Sequence, residues 1–248
     1  MLAAFGVTGA VSALPGGQGS SFAGDGVVLK PAGDDEVATW LASVLDALPH
    51  GERVRIIRPV RAGDGRWVVD GWCAWHWLDG VVGHDWRGAL AVSAPLHDVL
   101  AAVPWAPAIT ERPTHPWATG HRAARVDELG LPSQLVHADL GHNILWHASL
   151  PPAVIDVSPW WAPVRYADAI IAVDAVAWWD TGEDAVATFL ADDEGRELLA
   201  RAMVFRIVSG DALFGRDTAR GVHERRKLLD PPPLAPVAAR ARALIDAA

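Results

Sequence analysis

Residues 135–158, LVHADLGHNILWHASLPPAVIDVS, combine three short apolar runs with an unusual density of polar groups. The runs LV, NILW and AVI have the length and composition of short buried strands. The loop between the first two runs carries two histidines, Asp139 and Asn143, and the third run ends at Asp156. The pattern therefore predicts that groups able to bind a cation or accept a proton gather where core strands end.

Length and composition restrict the class of protein. The 248 residues fit one large domain or two small lobes, and 51% hydrophobic against 21% charged residues is typical of a folded chain. A net charge of −9 argues against a nucleic-acid partner. The single cysteine, Cys73, excludes an intrachain disulfide and a cysteine-based zinc site. Without a secretory-type N-terminus or an apolar stretch of bilayer length, we expect a cytoplasmic protein with no membrane partner.

The first 80 residues predict a small sheet that carries one helix. A glycine-rich loop, LPGGQGSSF, precedes the strand VVLK, and residues 34–48 place apolar side chains at helical spacing until Pro49. Residues 53–80 predict a hairpin that turns at Gly63-Asp64-Gly65, between two extended apolar runs.

Helices predominate in the rest of the sequence. One predicted helix, at 86–103, is interrupted by Pro95, and a second lies at 121–129. The order of elements predicts an α+β fold with a β-rich N-terminal lobe at 1–78 and a mostly helical C-terminal lobe at 79–248. The remaining predicted helices span 162–180, 183–190, 194–208 and 236–247.

The glycine-rich loop and the lysine after it suggest a phosphate site. Glycines let backbone amides approach a phosphate, although Ser20 stands where a Walker motif has lysine. Lys30 ends the next strand and is one of two lysines in the chain, against nineteen arginines. We therefore favour a phosphate ligand over a surface lysine. Glu36 is the first candidate to hold the ammonium, with Asp34 and Asp35 as alternatives.

Asp139, Asn143 and Asp156 form a set that suits phosphoryl transfer. The carboxylate of Asp139 could accept a proton from a hydroxyl nucleophile or orient that hydroxyl. The amide oxygen of Asn143 and the carboxylate of Asp156 are hard ligands that suit magnesium, which keeps water and phosphate oxygens as further ligands. His137 is expected to hold the loop by hydrogen bonds and not to transfer protons.

The motifs VHADLGHNIL and VIDVS resemble the catalytic and metal-binding loops of the aminoglycoside phosphotransferase and choline kinase-like small-molecule kinases. IDVSPWW is similar to the matching element of an actinobacterial branch of that family. The resemblance covers nearly the whole chain and is most specific at residues 135–161. It implies a protein-kinase-like two-lobe fold and an ATP- and Mg²⁺-dependent phosphotransferase that acts on a small-molecule hydroxyl, with GTP as an open alternative to ATP.

The resemblance also implies a role for each residue that matches a family motif. Asp139 would be the catalytic base or orienting carboxylate, and Asn143 and Asp156 would hold Mg²⁺. Lys30, steadied by Glu36, would contact the α- and β-phosphates. The other nucleotide-binding residues would be Gly16, Gly17, Gln18, Gly19, Ser20 and Ser21 over the phosphates, and Trp77, Leu78 and Asp79 in the hinge that meets the adenine.

Two other classes of protein stay open. A kinase-like nucleotide-binding protein without phosphotransfer is favoured by the spacing of Asp139 and Asn143, which is four residues where the family has five, and by Ser158-Pro159-Trp160 in place of Gly-Asp-Pro. A metal-dependent hydrolase is the more distant alternative, because it leaves the glycine-rich loop unexplained. Its ligands would be His137, Asp139, His142 and Asp156.

The acceptor is the least determined part of the prediction. Antibiotic, sugar, amino alcohol and nucleoside acceptors all fit this scaffold, and a cationic acceptor would favour an acidic site. Each acidic residue taken singly is more often part of a solvated helix face. The candidates are Asp168, Asp180, Glu183, Asp192, Asp193 and Glu194.

Overall fold

The structure is a computed structural model that describes residues 1–15, 19–49, 51–106 and 115–247. Its contacts divide the chain into two units. The first unit contains Met1–Val82 and Ile144–Asp156, and the second contains Gly83–Trp105 and most of the remaining chain. The predicted boundary at 78/79 differs from this division, chiefly because residues 144–156 return to the first unit.

Short strands form three sheets. The first, in the first unit, is antiparallel and has the order β1–β2–β3–β6–β5. The second, β4–β10–β9–β7, belongs to the same unit, and the third pairs β8 with β11 in the second unit. In chain order the strands are β1 (Ser12–Ala13), β2 (Phe22–Gly24), β3 (Val27–Pro31), β4 (Arg55–Ile56), β5 (Val68–Val69), β6 (Trp72–His76), β7 (Val81–Val82), β8 (Gln134–His137), β9 (Ile144–Trp146), β10 (Ala153–Val154) and β11 (Pro159–Ala162).

Two Asp-Gly pairs make the hairpin turns of the first sheet. Asp25-Gly26 joins β2 to β3, and Asp70-Gly71 joins β5 to β6. All four residues have positive φ, between 50° and 75°, as a type I′ turn requires. The chain also turns at Gly63–Gly65, where the N–H of Ala62 donates to the carbonyl of Arg66 at 2.9 Å, but this is not the turn between β5 and β6. Residues 58–60 already pair with the end of β6, so the glycines lie in an excursion of the outer strand.

The second sheet explains the return of the chain to the first unit. β10 runs parallel to β4 and antiparallel to β9, which in turn pairs with β7. The three strands predicted around the polar loop are thus confirmed as β8, β9 and β10. β11 was not predicted. Its sequence, PWWA, begins with a proline, which weakens any strand signal.

The first unit has one long helix, α1 (Asp35–Ala47), where the periodicity predicts it. The carboxylate of Asp34 caps it by accepting bonds from the N–H groups of Glu36 at 3.0 Å and Val37 at 3.2 Å. At the other end, the guanidinium of Arg58 donates to the carbonyl oxygens of Leu45 and Pro49. Both helix ends are therefore satisfied by side chains.

The second unit is mainly helical. In the part of this unit that the structure describes, the α-helices are α2 (Trp86–Leu100), α3 (Pro116–Ala124), α4 (Val164–Trp179), α5 (Glu183–Leu190), α6 (Asp193–Phe214), α7 (Ala219–Leu229) and α8 (Ala235–Asp246). α2 continues through Pro95, so the predicted interruption is wrong, and α7 was not predicted. α4 and α6 supply much of the core and bury residues on every face.

α3 and α6 approach each other closely at Gly120. A Cβ on this glycine would lie 2.5 Å from the carbonyl oxygen of Phe205 and would also overlap the hydroxyl of Ser209. Only glycine allows this approach. None of the helices in the described ranges has both the length and the apolar character that spanning a bilayer requires.

Candidate functional site

The polar loop predicted from the sequence follows β8 in the second unit. β8 and β11 are antiparallel, and His137 at the end of β8 lies opposite Pro159 at the start of β11. The loop that follows β8 and the segment that precedes β11 therefore lie side by side. The buried imidazole of His137 accepts hydrogen bonds at Nδ1 from the N–H groups of Asp139, at 3.2 Å, and Ser158, at 3.4 Å. The loop-holding role predicted for His137 is confirmed.

A second buried histidine supports the same strand. His97 on α2 accepts a hydrogen bond at Nε2 from the N–H of His137, at 3.1 Å. Burial lowers the pKa of His97 to about 3, so its ring is neutral and the proton is on Nδ1. That nitrogen lies 3.0 Å from the hydroxyl of Ser93, which donates to the carboxylate of Asp168 at 2.5 Å. A chain of hydrogen bonds therefore connects Asp168 on α4, through Ser93 and His97 on α2, to the backbone of β8.

Asp168, one of the acidic candidates for the acceptor site, is half-buried and accepts a hydrogen bond from Ser93. Burial raises its pKa from 3.8 to about 6. Between these values the unfolded chain loses a proton that the folded chain keeps, so stability falls as pH rises from about 4 to 6 and stays lower above 6. The penalty at neutral pH amounts to at most about 3 kcal/mol.

Asp168→Asn is therefore expected to raise the free energy of unfolding at pH 8 by about 1–3 kcal/mol. The amide oxygen can still accept the hydrogen bond from Ser93, and the cost of burying a charge disappears. At pH 4 the gain should vanish, because the carboxyl of the wild type is then neutral. Urea unfolding at both pH values measures the effect. A gain of the same size at pH 4 and pH 8 would contradict the assignment.

Asp139 and Asn143 lie together in the loop. The amide nitrogen of Asn143 donates to the carbonyl oxygen of Asp139 at 2.6 Å, which closes the loop over the four-residue spacing. Since the bond uses the nitrogen, it leaves the amide oxygen as a ligand atom for a cation. Although Asp139 and Asn143 are only four residues apart, the amide oxygen of Asn143 thus remains available as a ligand for magnesium.

Arg206, on α6, and Asp174, on α4, were not predicted as site residues. The guanidinium of Arg206 donates to Oδ1 of Asp139 at 2.6 Å and to both oxygens of Asp174, at 2.7 and 2.5 Å. A signal for both was present, because IIAVDAVAWW and MVFRIVSG each place one charge inside an apolar run. Such charges are rarely buried unless they are paired.

Lys30 and Asp156 meet within the first unit. The ammonium of Lys30, on β3, lies 2.5 Å from Oδ1 of Asp156, which follows β10. Asp156 is thus a partner of Lys30. The predicted pairing of Lys30 with Glu36, which is exposed in the first turn of α1, stays a prediction. Asp156 has φ +49°, a left-handed conformation that aspartate and asparagine tolerate better than most residues. Its carboxylate is 57% exposed, so it remains accessible to a cation.

The glycine-rich loop connects β1 to β2. Gly16, Gly17 and Gln18 lie outside the described residues. Beyond them, Gly19 has φ +69°, and the carbonyl of Ser21 accepts a bond from the N–H of Leu14 at 2.9 Å. Ser20, between them, is half-buried.

The predicted hinge, Trp77 to Asp79, follows β6. The indole of Trp77 is 46% exposed and donates to the carboxylate of Asp79 at 3.1 Å, and Leu78 is half-buried. Arg55 donates to the carbonyl of Asp79 at 2.8 Å. The segment is therefore fixed at both of its ends.

The other acidic candidates differ in their surroundings. Asp192 and Glu194 both pair with Arg165, at 2.6 and 2.7 Å, and Asp193 pairs with Arg196 at 3.0 Å. Asp180 and Glu183 line a surface groove of about 270 Å³ with Trp86 and Arg87. Within the described ranges, no group of three or more His, Cys, Asp or Glu side chains is placed to hold a metal ion.

The chain resembles known proteins in its fold and not in its sequence. No protein-family model and no curated protein matches its sequence. A thermostable mutant of aminoglycoside phosphotransferase APH(4)-Ia, in its apo form, is 16% identical with a TM-score of 0.56, and the match covers 99% of this chain and 97% of that one. The amicoumacin kinase hAmiN, in complex with AMP-PNP, Ca²⁺ and Ami, is 15% identical with a TM-score of 0.57, covering 96% and 88%.

A third match is the ethanolamine kinase of Plasmodium vivax, at 12% identity and a TM-score of 0.57, covering 90% of this chain and 80% of that one. All three likenesses extend over most of both chains. They confirm the α+β class and the fold that the resemblance implies. The chain has the protein-kinase-like fold shared by aminoglycoside phosphotransferases and ethanolamine kinases.

Proposed function

We propose that the protein is an ATP- and Mg²⁺-dependent phosphotransferase that acts on a hydroxyl of a small molecule. The observation that carries the proposal is the contact of Lys30 with Asp156 in a chain of this fold. A lysine at the end of β3 and a carboxylate after β10 meet, although they are far apart in sequence. Phosphoryl transfer needs such a cation for the nucleotide phosphates and such a carboxylate for magnesium.

Each of the proposed residues has a separate task in the chemistry. In the second unit, Asp139 would accept a hydrogen bond from the acceptor hydroxyl and orient it for attack. In the first unit, the ammonium of Lys30 would bind phosphate oxygens, and the segment 77–79 would meet the base. The amide oxygen of Asn143 and the carboxylate of Asp156 would hold Mg²⁺, which neutralises phosphate charge when bound.

The solved relatives support both a nucleotide and a small acceptor. Aminoglycoside phosphotransferase APH(4)-Ia was crystallised with ADP and hygromycin B, and the amicoumacin kinase with AMP-PNP, Ca²⁺ and Ami. ATP as donor, Mg²⁺ as metal, a cationic acceptor and a cytoplasmic location are the finer parts of the proposal. A cytoplasmic location supplies ATP and Mg²⁺ together.

Calorimetric titration of ATP, with and without Mg²⁺, tests the proposal. We expect binding that depends on Mg²⁺ and weakens by about tenfold or more in Asp156→Asn. Asparagine is chosen because it tolerates the left-handed backbone at this position. Asp217→Ala, which removes an exposed carboxylate in the second unit, should bind like the wild type.

The same titration with GTP decides which nucleotide is preferred. Wild-type protein that binds neither nucleotide would overturn the proposal. Binding without phosphate transfer to any hydroxyl acceptor would favour the nucleotide-binding protein that lacks catalysis.

A further inference from the structure

Arg206 connects the predicted catalytic carboxylate to the interior of the second unit. Its side chain is 9% exposed, and its guanidinium lies over the rings of Phe205, at 4.8 Å, and Trp178, at 5.8 Å. Burial alone would lower its pKa, but the carboxylates of Asp174 and Asp139 raise it overall. Arg206 therefore stays charged.

Asp174 holds the guanidinium in one orientation. Its side chain is 0% exposed, so it is out of reach of a ligand in solvent. It accepts hydrogen bonds from two nitrogens of Arg206, and such two-point contacts fix the plane of a guanidinium. His142, the neighbour of Asn143, lies 3.8 Å from the same carboxylate. Asp174 thus lies beside Arg206, which contacts Asp139 at one end of the loop 139–143, and beside His142 near the other end.

The remaining contact of Arg206 is with Asp139. Nη2 donates to Oδ1 at 2.6 Å, whereas Oδ2 has only a long contact of 3.4 Å to Asn143 among the described residues. One carboxylate oxygen is therefore fixed, and the other remains to meet a hydroxyl. A carboxylate that is held at one oxygen has a fixed orientation, and its second oxygen can still accept a hydrogen bond from a substrate.

We propose that Arg206 is a positioning residue for phosphoryl transfer, which, clamped by Asp174, fixes Oδ1 of Asp139 so that Oδ2 faces the acceptor hydroxyl. This inference rests on the proposed function. The competing explanation is that Arg206 only neutralises the buried carboxylate of Asp174. That explanation predicts a loss of stability but no specific loss in the chemical step.

Arg206→Lys separates the two explanations. Lysine keeps the charge beside Asp174, but one ammonium cannot reproduce the planar fork that also contacts Asp139. We expect kcat to fall by about 10- to 100-fold while the Kd for ATP with Mg²⁺ changes less than about twofold. Phosphate transfer would be measured with water and with a panel of aminoglycosides, amino alcohols and nucleosides.

Arg201→Lys is the matched control. Arg201 lies on the same helix, its side chain is 4% exposed, and it pairs with Glu197 at 2.9 Å. Its other partners are the carbonyl oxygens of Ala124 and Arg125 and, at 3.7 Å, the carboxylate of Glu128. This variant should lose thermal stability and keep its kcat. Equal kcat losses in the two variants would overturn the inference.

A double-mutant cycle gives a second measurement, which a purely structural role of Arg206 would not affect. If Arg206 acts through Asp139, Arg206→Lys should cost nothing further in the Asp139→Asn background. Additive losses would overturn the inference. If Arg206→Lys does not fold, Asp174→Asn takes its place in the cycle, because it releases the clamp and leaves Arg206 paired with Asp139.

The inference and the proposed function fail in different ways. Wild-type protein that transfers phosphate to no acceptor, water included, would overturn the proposed function and the inference with it. An active wild type whose Arg206→Lys variant keeps full kcat would overturn only the inference.

Discussion

Asp139→Asn is expected to lower phosphate transfer by about 10²- to 10⁴-fold and to leave ATP binding nearly unchanged. The asparagine oxygen can still accept the hydrogen bond from Arg206, so the loop should keep its shape. What is lost is a carboxylate oxygen that can accept the proton of the attacking hydroxyl or orient it. The nucleotide contacts proposed in the first unit do not involve this side chain.

Two measurements check the effect of Asp139→Asn. Phosphate transfer is followed at saturating ATP, and the Kd for ATP with Mg²⁺ is determined by calorimetry. The control is Asp127→Asn, an exposed carboxylate in the second unit that belongs to no proposed site. A rate within tenfold of the wild type would remove Asp139 from the mechanism.

Gly120→Ala is expected to destabilise the protein by about 3 kcal/mol, although it adds a single methyl group. The added carbon would lie 2.5 Å from the backbone oxygen of Phe205, and a backbone carbonyl cannot move aside as a flexible side chain can. α3 and α6 would have to separate. Because α6 also carries Arg206, which contacts Asp139, the shift should reach the loop 139–143 as well.

Gly210→Ala provides the comparison for Gly120→Ala. Gly210 lies on α6, and nothing is within 4 Å of the position that its Cβ would take. There alanine should be neutral or stabilising by up to about 1 kcal/mol, since it favours the helix. Urea unfolding of both variants and the wild type gives the difference directly. Similar stabilities for the two alanine variants would show that the α3–α6 contact can relax.

Local patterns predicted several elements of this fold correctly. α1 lies where the apolar spacing predicts it, and β8, β9 and β10 match the three apolar runs. The hairpin turn was misplaced because three Asp-Gly pairs occur in the first 71 residues, and each carries the same local signal. Asp70-Gly71 forms the hairpin turn between two strands, whereas Asp64-Gly65 has only a small or charged residue on either side.

The candidate site shows the same limit of local information. Motif spacing predicted the site residues Asp139, Asn143, Lys30 and Asp156. In the structure Asn143 contacts Asp139, Lys30 contacts Asp156, and each pair lies within one unit. Sequence proximity suggested Glu36 as a partner of Lys30, but it gave no indication that β3 places the ammonium beside Asp156, which follows a distant strand. Partners of this kind depend on tertiary pairing, which local spacing does not encode.

The return of residues 144–156 to the first unit has a consequence for synthesis of the chain. β4 and β7 lie at opposite edges of their sheet, and the strands between them, β9 and β10, come later in the sequence. The ribosome therefore releases the outer strands well before the inner ones. At about 5–20 residues per second, several seconds pass between the synthesis of β4 and β7 and the synthesis of β9 and β10. During that interval the emerging N-terminal region exposes unpaired strands to which a chaperone can bind.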